Sequence, residues 1–260
     1  MTVYTDQMAD RRVALIAPAG SYVGPELARL LAARGHDLVL ASPSAGLAES
    51  LRAEGARVEV VGGEDDGTPT MGRFGPEIGS EMVERAKAVF GTFHSAFFSS
   101  GRIALGKFLR MSTDDLQAAF HGNVELPFHF VQAVLPTLVG QGDGQILVAT
   151  SATALRPTQS ASVYAATRSA ATVLLQSAAL EVAASGVQLN VVGTNFMDFP
   201  EFLRGNRVET PEDRSRVESM VPMKRLGTMT EFASFCATFL DGSSRFATGQ
   251  FFPYAGGWAT

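Results

Sequence analysis

The sequence predicts an α/β fold: a single domain built on a doubly wound parallel sheet of about seven strands, with helices on both faces. Three observations support this prediction. Short apolar runs such as 13–17 and 146–150 alternate with longer segments that carry helical stripes or many alanines. The 260 residues and the hydrophobic share of 46% suffice for one large core. No internal repeat or domain linker interrupts the chain, so we expect one domain over 1–260, with 1–11 as an N-terminal tail.

The first half of the chain is predicted to form a βαβαβ unit. Its expected elements are strands at 13–17, 38–40 and 58–61 and helices that begin near Pro25 and Leu47. Proline is tolerated in the first turn of a helix, and glycine often follows the last, so Gly35 and Gly55 mark the two helix ends. Residues 62–79 are rich in glycine, proline and acidic side chains, which indicates a long surface loop.

The second half continues the alternation of helices and strands. The expected elements are a helix at 82–88, a weaker strand at 89–96, a long helix from Asp114 to Val139, a strand at 146–150, a helix at 160–184, a strand at 187–192, a helix at 230–240 and a strand at 250–254. A cluster of capping residues at 112–115 opens the long helix, and Pro127 and Pro136 are expected to bend it. Residues 196–221 are irregular and contain proline, as is typical of a segment that covers a substrate.

The composition excludes several classes of function. The formal charge is -5 and the chain has no basic cluster, which argues against nucleic acid and anionic membranes as partners. Cys236 is the single cysteine, so no intrachain disulfide can form. The four histidines lack the spacing of metal ligands, so no metal site is expected. The first ten residues lack an apolar signal core, and a cytoplasmic location is the simplest expectation.

A serine, a tyrosine and an arginine are spaced for proton transfer. Ser151 directly follows the apolar strand 146–150, whereas Tyr164 and Arg168 fall in the next helix. Residues four apart share one helix face, so the phenol and the guanidinium are expected to point together towards Ser151. A neighbouring cation favours the phenolate that a base requires, and a serine hydroxyl can hold a substrate oxygen. A strand-end serine, a surface tyrosine and a solvated arginine would show the same spacing.

The order of elements resembles the short-chain dehydrogenase/reductase fold over the whole chain, which implies a Rossmann-like domain. The tail carries similar motifs at 225–227 (Arg-Leu-Gly), 248–250 (Thr-Gly-Gln) and 256–258 (Gly-Gly-Trp), and Asn123 stands where that family keeps a structural asparagine. The catalytic set of the family is serine, tyrosine and lysine. Ser151 and Tyr164 match it, whereas an arginine, residue 168, replaces the lysine, which implies that the usual contact with the nicotinamide ribose is lost.

The cofactor loop of that family is also altered. The family places T-G-x-x-x-G-x-G after the first strand, so that the backbone can approach a pyrophosphate. Here Pro18 and Tyr22 replace the first two glycines, removing one N–H and adding a ring where the cofactor would lie. The second strand ends in Ala41-Ser42-Pro43, without the acidic residue that binds the ribose. No cofactor is therefore expected.

This combination resembles the halohydrin dehalogenases, with Ser-x12-Tyr-x3-Arg and an aromatic residue in place of a loop glycine. The resemblance implies cofactor-independent conversion of vicinal haloalcohols to epoxides with release of halide and a proton. It also implies the reverse reaction, in which azide, cyanide or nitrite opens an epoxide. Tyr164 would be the base, Ser151 would hold the substrate oxygen, and Arg168 would keep the tyrosine acidic. A homotetramer is usual for this family.

The resemblance also implies further site residues, within a substrate and halide region at 194–222. The candidates for halide or nucleophile binding are Tyr22, Thr194, Asn195, Phe196 and Met197. The candidates for the substrate pocket, each of which ordinary packing would also explain, are Phe97, Phe98, Asn123, Phe199, Phe202 and Leu203. Two other functions stay open at this point: an NAD(P)-dependent oxidoreductase with an atypical loop, and a non-catalytic sensor of the same fold.

Overall fold

The computed structural model describes residues 11–64, 74–99 and 101–259, and these contain one sheet of seven parallel strands. The strands are β1 (Val13–Ala17), β2 (Asp37–Ala41), β3 (Val58–Val61), β4 (Ser95–Ser99), β5 (Gly144–Ser151), β6 (Val187–Thr194) and β7 (Phe251–Tyr254). They lie in the order β3-β2-β1-β4-β5-β6-β7, with β3 and β7 at the edges. The predicted doubly wound fold is confirmed.

Helices cover both faces of this sheet. They are α1 (Gly24–Ala33), α2 (Leu47–Ala53), α3 (Ile78–Phe90), α4 (Thr113–Phe120), α5 (Leu126–Gln141), α6 (Ser162–Val182), α7 (Pro200–Gly205), α8 (Pro211–Ser219) and α9 (Met229–Thr238). Alternate residues of each strand enter two separate cores. Leu15 and Phe98 pack with α3, α5 and α6, whereas Ile16 and Phe97 pack with α1, α2 and α9. No helix in the described part of the chain could cross a membrane.

Two expectations for the middle of the chain were wrong. Val89 and Phe90 close helix α3 instead of opening a strand, and β4 begins only at Ser95. The apolar stripe of α3 continues to Phe90, and Gly91, with φ 81°, ends the helix. The predicted loop 62–79 also extends too far, because α3 already begins at Ile78. Residues 65–73 of that loop lie outside the described residues, and Phe74, which follows them, is buried in the core.

The predicted long helix is three elements in sequence. Ser112 and Asp115 form a reciprocal capping box at its start, as the cluster of capping residues indicates. A π-helical turn at His121–Glu125 then joins α4 to α5, and Pro136 lies inside α5. A π-helical turn holds about one residue more than an α-helical turn, so the side chains after it face a different direction. Asn123, within this turn, is fully buried.

The segment 196–221 is more regular than expected. It contains α7 and α8, each of which begins at a proline, and Thr210 and Asp213 form a capping box on α8. The sequence carries these start signals, but α8 has few apolar residues and therefore no helical stripe. Of the predicted tail 1–11, only Arg11 is described, and its guanidinium donates to the carbonyls of Gly35 and Gly55.

Candidate active site

The predicted site lies at the carboxyl ends of the central strands. Ser151 is the last residue of β5 and is directly paired with Thr194, the last residue of β6. Tyr164 and Arg168 lie in the first two turns of α6, which follows β5. Open α/β sheets bind their ligands at this edge, because the loops after the strands diverge there.

The hydroxyl of Ser151 is oriented as a hydrogen-bond donor. Its oxygen accepts from the backbone N–H of Thr153 at 3.2 Å and from the Thr153 hydroxyl at 2.9 Å. A serine hydroxyl has two acceptor positions and one hydrogen, so only the hydrogen remains free for another group. Its partner in the structure is the carbonyl oxygen of Thr194 at 3.5 Å, beyond the usual range for an O–H donor. Ser151 can therefore donate to a substrate oxygen, and Thr153, which sequence reasoning missed, sets that direction.

Replacing Thr153 by valine is expected to lower kcat by about 3- to 10-fold, because one net hydrogen bond that orients Ser151 is lost. The side chain is buried and valine has the same shape, so folding should be retained. Steady-state kinetics of turnover would measure kcat and KM separately, and Thr153→Ser, which keeps the hydroxyl, should behave like the wild type. Equal kcat in the valine variant and the wild type would contradict the orienting role.

Arg168 places a buried positive charge against Tyr164. Its guanidinium carbon lies 5.3 Å from the centre of the Tyr164 ring, and the residue is 6% exposed. Within the described residues, its Nε and Nη1 atoms have no hydrogen-bond partner. Burying N–H donors of a charged group without partners is costly, so this site favours a negative charge nearby.

Asn123 does not line a substrate pocket, and this assignment is corrected. It is fully buried, and its amide nitrogen donates to the carbonyl of Arg102 and to the hydroxyl of Thr167, while its oxygen accepts from the Arg102 N–H. A Cβ on Gly101 would overlap both Asn123 Oδ1 and Arg168 Nη2. Asn123 thus fixes the backbone after β4, and that backbone packs against the guanidinium of Arg168.

Phe97 and Phe98 are likewise corrected to core residues. They are consecutive in β4, so their side chains enter opposite faces of the sheet, and both are almost fully buried. The Phe98 ring stacks on Phe130 of α5 at 4.4 Å between centres. The other three pocket candidates lie around the loop after β6. Phe199 contacts the Tyr22 ring, Phe202 contacts the Phe196 ring, and Leu203 packs against the same cluster as Phe202.

The loop after β6 is fixed by both its backbone and its side chains. Phe196 has φ 55°, an uncommon backbone conformation for a residue other than glycine. Its carbonyl accepts from Gly227 N at 3.0 Å, and its N–H donates to Oδ1 of Asn195 at 2.9 Å. The Phe196 ring contacts Trp258 at 5.5 Å between centres. Met197 is buried and forms a parallel β-bridge with Gly227. The two hydrogen bonds of this bridge run from Gly227 N to the Phe196 carbonyl and from Asp198 N to the Gly227 carbonyl, so the Met197 N–H takes no part in it.

Tyr22 closes the loop between β1 and α1. Its hydroxyl lies 2.6 Å from Oγ1 of Thr194, and its ring contacts Phe199 and Phe232 at 5.0 and 5.6 Å between centres. The residue has φ 53°, so the backbone turns where the family carries a glycine. Burial raises the pKa of the Tyr22 hydroxyl far above its usual value, so it stays a neutral phenol. Of the four remaining halide candidates, Thr194 contacts Tyr22 directly, and 195–197 follow it.

The loop does not fit a dinucleotide pyrophosphate. Pro18, in this loop, has no N–H to donate to a phosphate. The Tyr22 side chain crosses this edge of the sheet to reach β6. Beyond the end of β2, a cavity of about 280 Å³ is lined by residues that include Ser42, Glu64, Glu77 and Glu81, and this acidic lining disfavours a phosphate group at that position.

A second cavity adjoins the loop after β6, and Ser151, Tyr164 and Arg168 are not among the residues that line it. It measures about 370 Å³ and is lined by 195–197, by Val221, Met223 and Arg225, and by the segment after β7. In the described ranges, no group of three histidine, cysteine or acidic side chains is placed to hold a metal ion. Cys236 is buried in the core, and burial raises the pKa of its thiol, which makes it a poor nucleophile.

Comparison with known proteins agrees with this architecture. The sequence profile of the family described as enoyl-(acyl carrier protein) reductase matches residues 20–259. The BbsC subunit of (2S)-[(R)-hydroxy(phenyl)methyl]succinyl-CoA dehydrogenase from Thauera aromatica is 30% identical over 252 residues, covering 95% of this chain and 94% of the relative.

Two solved structures share the fold. Levodione reductase aligns with a TM-score of 0.82 at 22% identity, over 95% of this chain and 97% of its own. A protein described as a dehalogenation enzyme aligns with a TM-score of 0.79 at 24% identity, over 96% of this chain and 99% of its own. A reductase and a dehalogenation enzyme thus overlap this chain about equally well, and the fold alone does not separate the two activities.

The fold is that of a Rossmann-like enzyme of the short-chain dehydrogenase/reductase superfamily. The chain belongs to the enoyl-(acyl carrier protein) reductase family of that superfamily, whose profile spans it almost from end to end.

Proposed function

We propose that the protein is a cofactor-independent halohydrin dehalogenase. The observation that carries the proposal is the hydrogen bond between Tyr22 and Thr194, which closes the cofactor edge of the sheet beside a Ser–Tyr–Arg site. A vicinal haloalcohol needs no hydride acceptor, because its own oxygen displaces its own halide. The protein then has to supply a base, a hydrogen-bond donor for the oxygen and a site for the anion, and we assign these roles to residues at this edge.

Ring closure proceeds in one displacement. The hydroxyl proton of the substrate passes to Oη of Tyr164, the alkoxide oxygen bonds to the adjacent carbon, and the carbon–halogen bond breaks with its electron pair on the halide. Holding oxygen, carbons and halide in line supplies much of the acceleration, because the reaction is intramolecular. In the reverse direction Tyr164 protonates the epoxide oxygen while azide, cyanide or nitrite attacks carbon.

Ser151 and Arg168 act on the oxygen and on the base, respectively. Ser151 donates its single free hydrogen to the substrate oxygen, since Thr153 occupies both acceptor positions. Arg168 stabilises the phenolate form of Tyr164, and its unpartnered N–H groups favour negative charge in this region. Arginine holds its charge at every working pH, so the site does not depend on a second titrating group.

The halide leaves towards Tyr22 and the loop after β6. An anion site needs N–H donors and polarizable surfaces without carboxylates. The Met197 N–H and the Tyr22 ring are the candidates, because the Phe196 N–H already donates to Oδ1 of Asn195. Thr194 joins these two parts through its contact with the Tyr22 hydroxyl. The aromatic residues 199 and 202 extend the apolar surface around them.

Halide release from 1,3-dichloro-2-propanol by dialysed enzyme in nucleotide-free buffer tests the proposal. Chloride is expected to appear together with epoxide and acid, at a rate that added NAD(H) or NADP(H) does not change. A panel of linear and cyclic haloalcohols would define the substrate range. Turnover only with added nucleotide would favour an oxidoreductase with an atypical loop, and ligand binding without any turnover would favour a sensor.

A homotetramer is part of the same proposal, together with a cytoplasmic location and small-molecule partners only. Helices α4 and α5 pack against α6, and all three helices expose apolar side chains. These are Leu116, Phe120, Phe128, Val173 and Leu180, of which Leu180 is 73% exposed. Such a patch is typical of a contact with a second copy.

Light scattering coupled to size exclusion is expected to give four times the chain mass of 27.6 kDa for the wild type. Leu180→Glu would bring like charges together at the contact between two copies and should therefore yield smaller species. The substitution should not unfold the protein, because the Leu180 side chain contacts little of its own chain. A monomeric wild type would contradict the tetramer.

A further inference from the structure

The segment between β4 and α4 gathers positive charge around one cavity, the basic groove. The basic groove measures about 410 Å³ and is lined by 102–107, Arg110, Met111 and Asp115. Three of these side chains, Arg102, Lys107 and Arg110, are cationic, and one, Asp115, is acidic. The whole chain has a formal charge of -5, so the groove differs in sign from the molecule as a whole. A cleft lined by one sign of charge attracts ligands of the other sign.

The single carboxylate of the basic groove offsets one of its three cations. Asp115 accepts from the backbone N–H and the hydroxyl of Ser112 at 3.1 and 2.8 Å, and its other oxygen lies 3.9 Å from Nη2 of Arg102. In the part of the chain that the structure describes, the side chains of Lys107 and Arg110 form neither a hydrogen bond nor an ion pair. Two cations are therefore left to meet an anion from outside.

Apolar side chains accompany these cations. Ile103 and Leu105 line the basic groove and are exposed, although both are large and apolar. Met111 also lines it and packs against the small buried cluster that contains Ala104. A hydrocarbon chain lying over Ile103 and Leu105 would remove apolar surface from water, which is favourable. The groove thus suits a ligand that combines an apolar chain with a negative charge.

The basic groove adjoins the helix that carries Tyr164. The backbone N–H of Gly106 donates to the carbonyl of Ser160 at 2.8 Å, just before α6 begins. Ala104 is buried in one cluster with Val163, which directly precedes Tyr164 in the helix. These contacts fix the segment to the first turn of α6, so the groove is held beside the residue that we assign as the base.

The start of the same segment adjoins Arg168. A Cβ on Gly101 would overlap Nη2 of Arg168, and Arg102 follows Gly101 directly. Asn123 holds the Arg102 backbone through both its N–H and its carbonyl. Tyr164 and Arg168 thus both lie next to the segment that forms the groove. A substrate whose oxygen is held at Tyr164 has this groove beside it for the rest of its chain.

We propose that the basic groove selects haloalcohols and epoxides that carry a carboxylate at the far end of an apolar chain. Lys107 and Arg110 bind the carboxylate, and Ile103 and Leu105 contact the chain. The inference rests on the proposed function, because it assigns a place to the tail of the same substrate. Ring closure itself is unchanged: the hydroxyl proton passes to Tyr164, the oxygen bonds to the neighbouring carbon, and the halide leaves with the electron pair of the broken bond.

A matched pair of substrates isolates the effect of the charge. The compounds 8-chloro-7-hydroxyoctanoate and 8-chloro-7-hydroxyoctanamide have the same length and nearly the same shape, and only the first is an anion. With the wild type, kcat/KM for the acid is expected to exceed that for the amide by about 3- to 30-fold, the value of two exposed ion pairs. Raising the ionic strength from about 50 mM to about 500 mM should reduce this ratio, because salt screens exposed charges.

Variants of the two cations test their assignment. Lys107→Gln combined with Arg110→Gln is expected to raise KM for the acid by about 3- to 30-fold, while kcat for both compounds and KM for the amide stay constant. Both side chains are exposed, so folding should be retained. Lys107→Arg keeps the charge and should keep the preference for the acid. Lys87→Gln removes an exposed cation of α3 that does not line the groove, and it serves as the control.

Binding of octanoate and octanamide, measured by calorimetry, reports on the groove without turnover. Octanoate is expected to bind more tightly than octanamide to the wild type and to lose this advantage in the double variant. Equal affinity of the wild type for the two compounds would contradict the assignment of Lys107 and Arg110 to a carboxylate.

Three kinetic outcomes are decisive. Equal kcat/KM for the acid and the amide, with halide released from both, overturns the role of the groove and leaves the proposed function intact. A preference for the acid that survives in the double variant also overturns that role, because another cation then binds the carboxylate. Absence of halide release from either compound and from 1,3-dichloro-2-propanol overturns the proposed function and this inference with it.

Discussion

Replacing Tyr164 by phenylalanine is expected to lower both halide release and azide-dependent ring opening by about 10²- to 10⁴-fold. The variant keeps the ring that lies against Arg168 and loses only the oxygen that accepts or returns the proton. Because the same oxygen acts in both directions, both reactions should fall together. Parallel assays of chloride release and of epoxide consumption with azide would measure this, and anion binding seen through Trp258 fluorescence should persist.

Tyr254→Phe is the matched control, since it removes a tyrosine hydroxyl at the end of β7 on the same edge of the sheet. Burial raises the pKa of that hydroxyl, so it stays protonated and offers no base. Turnover in this control should stay within about twofold of the wild type, a change of less than 0.5 kcal/mol. Substantial activity in Tyr164→Phe would contradict the proton-transfer mechanism.

Replacing Gly24 by alanine is expected to lower the free energy of unfolding by about 3 kcal/mol or more. The added Cβ would overlap the carbonyl oxygen of Pro18 and approach the Cα of Ala19 to 2.9 Å, and neither backbone atom can rotate away. Relief requires moving the β1–α1 loop, which carries Tyr22. We therefore expect a fall in the melting temperature and, in any folded fraction, weaker binding of bromide.

Gly140→Ala tests whether the effect at Gly24 is specific. Gly140 lies in the last turn of α5, and a Cβ there would meet no atom within 4 Å. Alanine is the better helix former by about 0.5–1 kcal/mol, so this variant should melt at the same temperature or slightly higher. Equal melting of both variants would show that the contact between Gly24 and Pro18 is not tight in solution.

The sheet could be predicted from the sequence because buried parallel strands are short apolar runs whose ends are marked by glycine or by polar residues. Each of the seven strands was expected, and only β4 was misplaced. That error arose because Val89 and Phe90 are β-formers at the end of a helix, where Phe90 packs against the core and Val89 is exposed. Helices α7 and α8 were missed because the apolar period is weak in short, polar helices.

The candidate site could be predicted only as a set of residue types. Spacing placed Tyr164 and Arg168 on one helix face, and the structure adds that the guanidinium is buried with unpartnered donors. The hydroxyl direction of Ser151 depends on Thr153, and sequence offers no rule for which of several hydroxyls orients another. Asn123 was misassigned because its partner, Arg102, is 21 residues away, and a π-helical turn sets which way it faces.

The edge strand β7 has a consequence for how copies of the molecule can meet. Unprotected edge strands invite another strand to add to the sheet and so extend it between molecules. Pro253 in the middle of β7 has no amide hydrogen to offer, and it therefore interrupts the row of donors along this border. Fibril-like growth across β7 is thereby disfavoured, and contacts between subunits are left to side chains on helices.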